Sequence, residues 1–139
     1  GIASRMADIL EDPLGKTVGY SVRMDRHVSE ATRIEVITEG LLVRRLQAHP
    51  ELPGVSTIIF DEFHERSLFT DLSLALVLDL CRIKPDLNIL IMSATMDSKA
   101  IAERLNETEN RQGERRIPIL TCPGRIYPIE TEYRSSHKR

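Results

Sequence analysis

Residues 56–76 read STIIFDEFHERSLFTDLSLAL, and this stretch decides the fold. Ile58, Ile59 and Phe60 end abruptly on Asp61 and Glu62; His64, Glu65 and Arg66 follow at once, and then a long apolar run begins. An apolar run with no alternation predicts a strand at 55–60 covered on both faces, as in parallel sheets. The run 68–83 is apolar on most sides and predicts a deeply packed helix. A strand that hands over to such a helix is a unit of an α/β fold. In these folds ligands sit at the carboxyl ends of the strands, where Asp61 falls.

Outward from this stretch the same alternation continues. A helix is expected over 3–11, with Met6, Ile9 and Leu10 on one face, and DPLG at 12–15 stops it. Val18, Tyr20, Val22 and Met24 alternate within 16–24, the period of a half-buried strand, and Ile34, Val36 and Thr38 do so within 33–38. Residues 41–49 read as a helix with Leu42 and Leu46 four apart, and PELPG at 50–54 as a turn. A second strand buried on both faces is expected at 87–92. A helix capped by Asp97 follows at 97–105, then a solvated loop at 106–116 and a short strand at 117–120. Residues 123–133 read as an extended segment and 134–139 as a tail. The fold class is therefore α/β, with a largely parallel sheet flanked by helices. Residues 1–122 form one domain and 123–139 a connector leading out of it.

Bulk composition narrows the function classes. The 139 residues suffice for one domain with a core, and 41% hydrophobic with 29% charged residues reads as globular and soluble. Nineteen basic and 21 acidic residues nearly cancel, so any nucleic-acid contact has to be local. Asp71 and Asp79 interrupt the longest apolar stretch, which argues against a membrane span. Cys81 and Cys122 stand alone, and with no signal-peptide pattern a reduced, cytoplasmic chain is expected. The sequence opens on Gly1 in what reads as mid-helix, so a piece of a longer protein is expected.

Gly15-Lys16-Thr17 imitates the end of a phosphate-binding loop. Such a loop needs a glycine six residues before the lysine and a helix after it; here Leu10 takes the glycine's place and a strand pattern follows. A turn entering a strand is the better reading. At Asp61 the chemistry is more pointed. A carboxylate just past a buried strand can reach the water shell of Mg²⁺, and a neighbouring Glu62 can orient an attacking water. His64 can hydrogen-bond across such a site, with Glu65 and Arg66 pairing locally. Acids at a helix start are also ordinary, since they favour the positive end of the helix dipole. Thr38, Glu39 and Gly40 open a helix whose free N–H groups suit a phosphate, or form an ordinary strand-to-helix turn with Glu39 as the cap. Arg23, Arg26, Arg44 and Arg45 are candidates for a basic face. Arg26 and Arg45 are better read as solvated charge.

Taken together, these strings resemble the DEAH-box helicases of superfamily 2, most closely the bacterial HrpB type. DEFHER (61–66) is similar to the Walker B motif with Phe63 in place of the usual Ala, and Ser93–Thr95 (SAT) to the coupling motif. TEGLL (38–42) is similar to the RNA-contacting motif. LGKTVGYSVR (14–23) and PGRIYPIE (123–130) also fit in order and spacing. The resemblance implies part of a first RecA-like domain, lacking the strand and phosphate loop that lie upstream and the second RecA-like domain with its arginine finger. It implies ATP and Mg²⁺ at Asp61 and Glu62, and coupling through His64, Ser93 and Thr95. RNA would lie along Thr38, Glu39, Gly40 and Arg23. The isolated chain is then expected to be inactive. The competing expectation is a truncated, non-catalytic relic that binds nucleic acid or a protein.

Overall fold

The computed structural model describes residues 1–94, 98–108 and 117–122. The chain divides into two compact units, Gly1–Met96 and Asp97–Arg139. The first unit opens with helix α1 (Ile2–Ile9), followed by strands β1 (Val18–Val22), β2 (Asp25–His27) and β3 (Ile34–Ile37). Helix α2 (Glu39–Ala48), strand β4 (Thr57–Phe60), a 3₁₀ turn (Phe63–Glu65), helix α3 (Leu68–Ile83) and strand β5 (Asn88–Ile91) complete it. This is an α/β arrangement, as expected. Its strands form two small sheets rather than one: β2-β1-β3, and β4 beside β5. β1 pairs in parallel with β3, and β4 with β5, while β1 and β2 form an antiparallel hairpin. β2 carries only Asp25, Arg26 and His27, all exposed, so no apolar alternation announced it.

Burial follows shape as well as hydropathy. α1 buries Ala3 and Ala7 against Val18, with Met6, Leu14, Tyr20 and Val36 packed around them. Ile9 and Leu10, expected on the inner face, are exposed. Two alanines four apart let the helix backbone approach the sheet closely, which bulkier side chains would prevent. In β1 the expected inner face is also incomplete. Val18 is buried, but Val22 is exposed and Met24 lies in a turn at φ 65, fully in solvent. Ser21 is buried instead, because its hydroxyl donates to Glu35, which the Arg45 guanidinium also holds in a two-pronged ion pair. Arg45 is thus a paired residue and not solvated charge.

α2 packs on α3, burying Leu42, Val43 and Leu46 on one side and Thr70, Ser73, Leu74, Val77 and Leu80 on the other. α3 matches its expected bounds but buries one stripe only, and Leu68, Phe69, Leu72 and Ile83 are exposed. The strands show the same one-sidedness. β4 buries Ile58 and Phe60 and exposes Ile59, and β5 exposes Leu90. Lys84 caps α3 and donates to the carbonyls of Glu51, Leu52 and Val55 at 3.2, 2.9 and 2.7 Å. That grip fixes the turn before β4, where Leu52 and Gly54 both take positive φ.

In the second unit, α4 (Ser98–Thr108) runs three residues beyond its expected end. Residues 117–122 carry no regular structure, so the strand expected at 117–120 is absent. Ile117 N–H is bonded to the Asn106 side chain at 3.1 Å, a local tie that supplies what a strand partner would have given. Asp97, most of the loop at 109–116 and the segments at 123–139 lie outside the described residues. No helix among the described residues is long and apolar enough to cross a membrane.

Candidate functional site

The parallel register of β4 and β5 builds the site. Phe60 stands opposite Ile91, and Met92 N–H donates to the Phe60 carbonyl at 2.8 Å. The ladder then takes one further step past the strand end, where Phe63 N–H donates to the Met92 carbonyl at 3.0 Å. That bond folds residues 61–63 back over the tip of β5 and brings the DEFH turn beside Ser93, the next residue in the chain. Asp61, Glu62, His64 and Ser93 therefore share the carboxyl edge of this sheet. Thr95 lies outside the described residues.

The turn is tight. Glu62 sits in the left-handed region at φ 50, ψ 36, and Arg66 at φ 47. Each such conformation costs of order 1 kcal/mol or more for a residue with a side chain, and something must hold it. Phe63 is the anchor. It is 3% exposed, meets Phe60 edge-on with ring centres 6.4 Å apart, and is covered by the Arg66 guanidinium 5.4 Å from its ring centre. The bulky residue that departs from the DEAH pattern therefore fills the core beneath the acids. Arg66 pairs with Asp71 at 2.9 Å and not with Glu65, which corrects the expected local pair.

Asp61 and Glu62 are exposed, and Asp61 Oδ1 accepts the Glu62 N–H at 2.9 Å, which steadies the start of the turn. His64 Nδ1 lies 3.3 Å from Glu62 Oε2, within ion-pair reach, yet this buried nitrogen makes no hydrogen bond. The two observations agree once direction is considered: the atoms are near, but the geometry is not that of a bond. Ser93 does not bond this nitrogen. Among the described residues no group of three or more His, Cys, Asp or Glu could hold a metal by itself. Two adjacent oxygen donors on an open ledge fit a hard ion such as Mg²⁺, which keeps several waters and takes its remaining ligands from phosphate.

The second cluster lies on the other sheet. β1 and β3 run in parallel with Ser21 opposite Ile37, so Arg23 and Thr38 leave neighbouring strands at the same carboxyl edge. Thr38 is the N-cap of α2, with extended backbone and no side-chain cap bond. Its carbonyl accepts from Leu41 and Leu42, which leaves the N–H groups of Glu39 and Gly40 at the open helix start. A side chain at Gly40 would meet nothing within 4 Å, so the backbone there is open to approach. Glu39 does not cap the helix, as had been expected. Its carboxylate instead accepts from the Thr70 hydroxyl at 3.3 Å. The sequence reading missed this link and its companion, the Ser67 cap of α3. A serine standing immediately before the apolar run was the available signal for the Ser67 cap.

The Gly15-Lys16-Thr17 imitation resolves as a turn. Lys16 pairs with Asp12 at 2.8 Å, Thr17 also donates to Asp12, Gly15 takes φ 90, and β1 follows. The Lys16 and Thr17 hydrogen bonds hold the Asp12 carboxyl below its usual range. A pocket lined by Leu14, Gly15, Lys16 and His27 lies at this turn, away from the acids.

No family model matches the chain. Over 133 residues, 95% of its length, it is 44% identical to the ATP-dependent RNA helicase HrpB of Escherichia coli (strain K12), and it spans 15% of that protein. Two crystal structures of E. coli HrpB, described as a DExH-box NTPase and as a DEAH/RHA helicase, each superpose with a TM-score of 0.72 at 50% identity. They cover 76% of this chain and 13% and 14% of their own. Over nearly its whole length the chain is thus similar to one short segment of the E. coli RNA helicase HrpB.

Proposed function

We propose that this chain is part of the first RecA-like domain of an ATP-dependent RNA helicase, with residues 1–122 in the domain and 123–139 leading toward a second one. Asp61 would hold Mg²⁺ through water, and Glu62 would orient and polarise the attacking water. When bound, Mg²⁺ neutralises charge on the β- and γ-phosphates. His64, Ser93 and Thr95 would report the nucleotide state across the sheet edge. Thr38, Gly40 and Arg23 would contact the RNA backbone, which makes binding largely independent of sequence. Glu39, which would repel a phosphate, acts beside these contacts and not as one of them. The protein would work in the cytoplasm.

The observation that carries this reading is the Phe63-to-Met92 backbone bond, which sets Asp61, Glu62 and Ser93 on one edge. The test is steady-state ATP hydrolysis by the intact helicase that contains this segment. Glu62→Gln is expected to lower kcat by about 10² to 10⁴, the usual share of a positioned general base. The 139-residue chain alone is expected to hydrolyse ATP negligibly, since an arginine finger by itself contributes about 10³ to 10⁵. Glu62-dependent turnover by the isolated chain, or full turnover by the Glu62→Gln enzyme, would refute the assignment.

A further inference from the structure

The two candidate clusters lie on different sheets, yet a short run of hydrogen bonds joins them. Ser67, the residue after Arg66, caps α3: its Oγ accepts the Thr70 N–H at 2.9 Å. The Ser67 and Thr70 hydroxyls are 2.7 Å apart, and Thr70 Oγ1 donates to Glu39 Oε1 at 3.3 Å. Direction is fixed by proton count. Thr70 has one hydroxyl hydrogen and gives it to Glu39, so Ser67 must give its own to Thr70. Thr70 is buried between α2 and α3, Ser67 is half-buried, and Glu39 at the other end of the link is exposed. At its far end Arg66 is held by Asp71, the neighbour of Thr70, and covers Phe63, the anchor of the DEFH turn.

We propose that Thr70 is a positioning residue that couples RNA at the start of α2 to the hydrolysis turn. The inference rests on the function proposed above and names the regulation of that same site. A phosphate held by the N–H groups of Glu39 and Gly40 places negative charge beside the Glu39 carboxylate. Repulsion moves the carboxylate away from the phosphate, and the Thr70 hydroxyl is the donor waiting there. The long 3.3 Å bond of the free protein shortens, and the first turn of α3 shifts with it. Ser67, Arg66 and Phe63 carry that shift to Asp61 and Glu62. The warrant is a contiguous set of bonded groups, and its measure is energetic coupling between the two ends.

The experiment compares RNA-free and RNA-stimulated ATP hydrolysis, and half-saturating RNA, in the intact helicase. Thr70→Val removes the hydroxyl at nearly constant volume. It is expected to cut the RNA-stimulated kcat at least threefold, within the roughly 2- to 30-fold range of coupling residues. The RNA-free rate and the half-saturating RNA concentration should move by less than about twofold, since Thr70 touches neither ligand. Thr70→Ser should restore stimulation. If Thr70→Val does not fold, Glu39→Ala cuts the link from its exposed end and should lose stimulation by the same factor. Full stimulation of Thr70→Val, an equal fall with and without RNA, or failure of Thr70→Ser to restore it would overturn the proposal. A wild-type enzyme that ignores RNA overturns the underlying function as well. A responsive wild type with an indifferent Thr70→Val overturns the coupling alone.

Discussion

Phe63→Ala separates what holds the acidic turn from what merely decorates it. Phe63 is almost fully buried, so truncation removes the transfer free energy of an aromatic ring and leaves a cavity above Phe60. Phe→Ala changes at such sites cost about 3–5 kcal/mol. The edge-on contact with Phe60 supplies about 0.5–1.5 of this, and the Arg66 guanidinium, partly in solvent, about 0.5–1. Arg66→Ala loses the second of these and an ion pair with Asp71 whose side chains are 56% and 45% exposed, which contributes at most about 1 kcal/mol. The expected order is therefore Phe63→Ala far worse than Arg66→Ala, with Phe63→Leu between them. Urea denaturation of the 139-residue chain, followed by circular dichroism, measures all three. The midpoint should fall at constant slope. A Phe63→Ala cost below about 1 kcal/mol, or one no larger than that of Arg66→Ala, would refute the anchoring argument. It would also mean that the alanine common in related helicases fits here without a cavity.

Gly40→Ala should stabilise the free chain by about 0.4–1 kcal/mol, because the added methyl meets nothing and the unfolded chain loses freedom. The same change should weaken single-stranded RNA binding by the intact helicase, as seen by fluorescence anisotropy. Unchanged affinity would remove Gly40 from the interface. Glu35 responds to pH: the Arg45 hydrogen bonds, then the Ser21 hydroxyl, hold its carboxyl below the usual value against the opposing effect of burial. A depressed folded pKa means that stability is present above the ordinary carboxylate range and is lost as pH falls through the folded value. Arg45→Ala should therefore cost about 1 kcal/mol near neutrality, allowing for solvent screening, and flatten the acid limb of the stability curve. Equal acid sensitivity in both proteins would contradict this.

How much was legible in advance varies with the physics of each element. The 68–83 helix was legible to its bounds, because a mostly apolar run of sixteen residues is too long for a strand. β2 was invisible, because three exposed polar residues form a strand only when β1 is already there to pair with. The candidate site strings were readable in advance as well, since Asp61, Glu62 and the Thr38–Gly40 run are local patterns written in consecutive residues.

Local chemistry was thus determined by the sequence alone: the acids at the end of an apolar strand, the helix start at Thr38, and the strand pattern after Thr17 that makes the Gly-Lys-Thr imitation a turn. Only the tertiary structure decided which faces are buried, that Ala3 and Ala7 outrank Ile9 and Leu10, and that Ser21 lies inside beside Glu35. It alone decided that Met92 pins the DEFH turn and that Thr70 reaches Glu39. The reason is range. Propensity and periodicity act over a few neighbours, whereas the Glu39–Thr70 bond joins groups 31 residues apart whose meeting depends on how two helices pack.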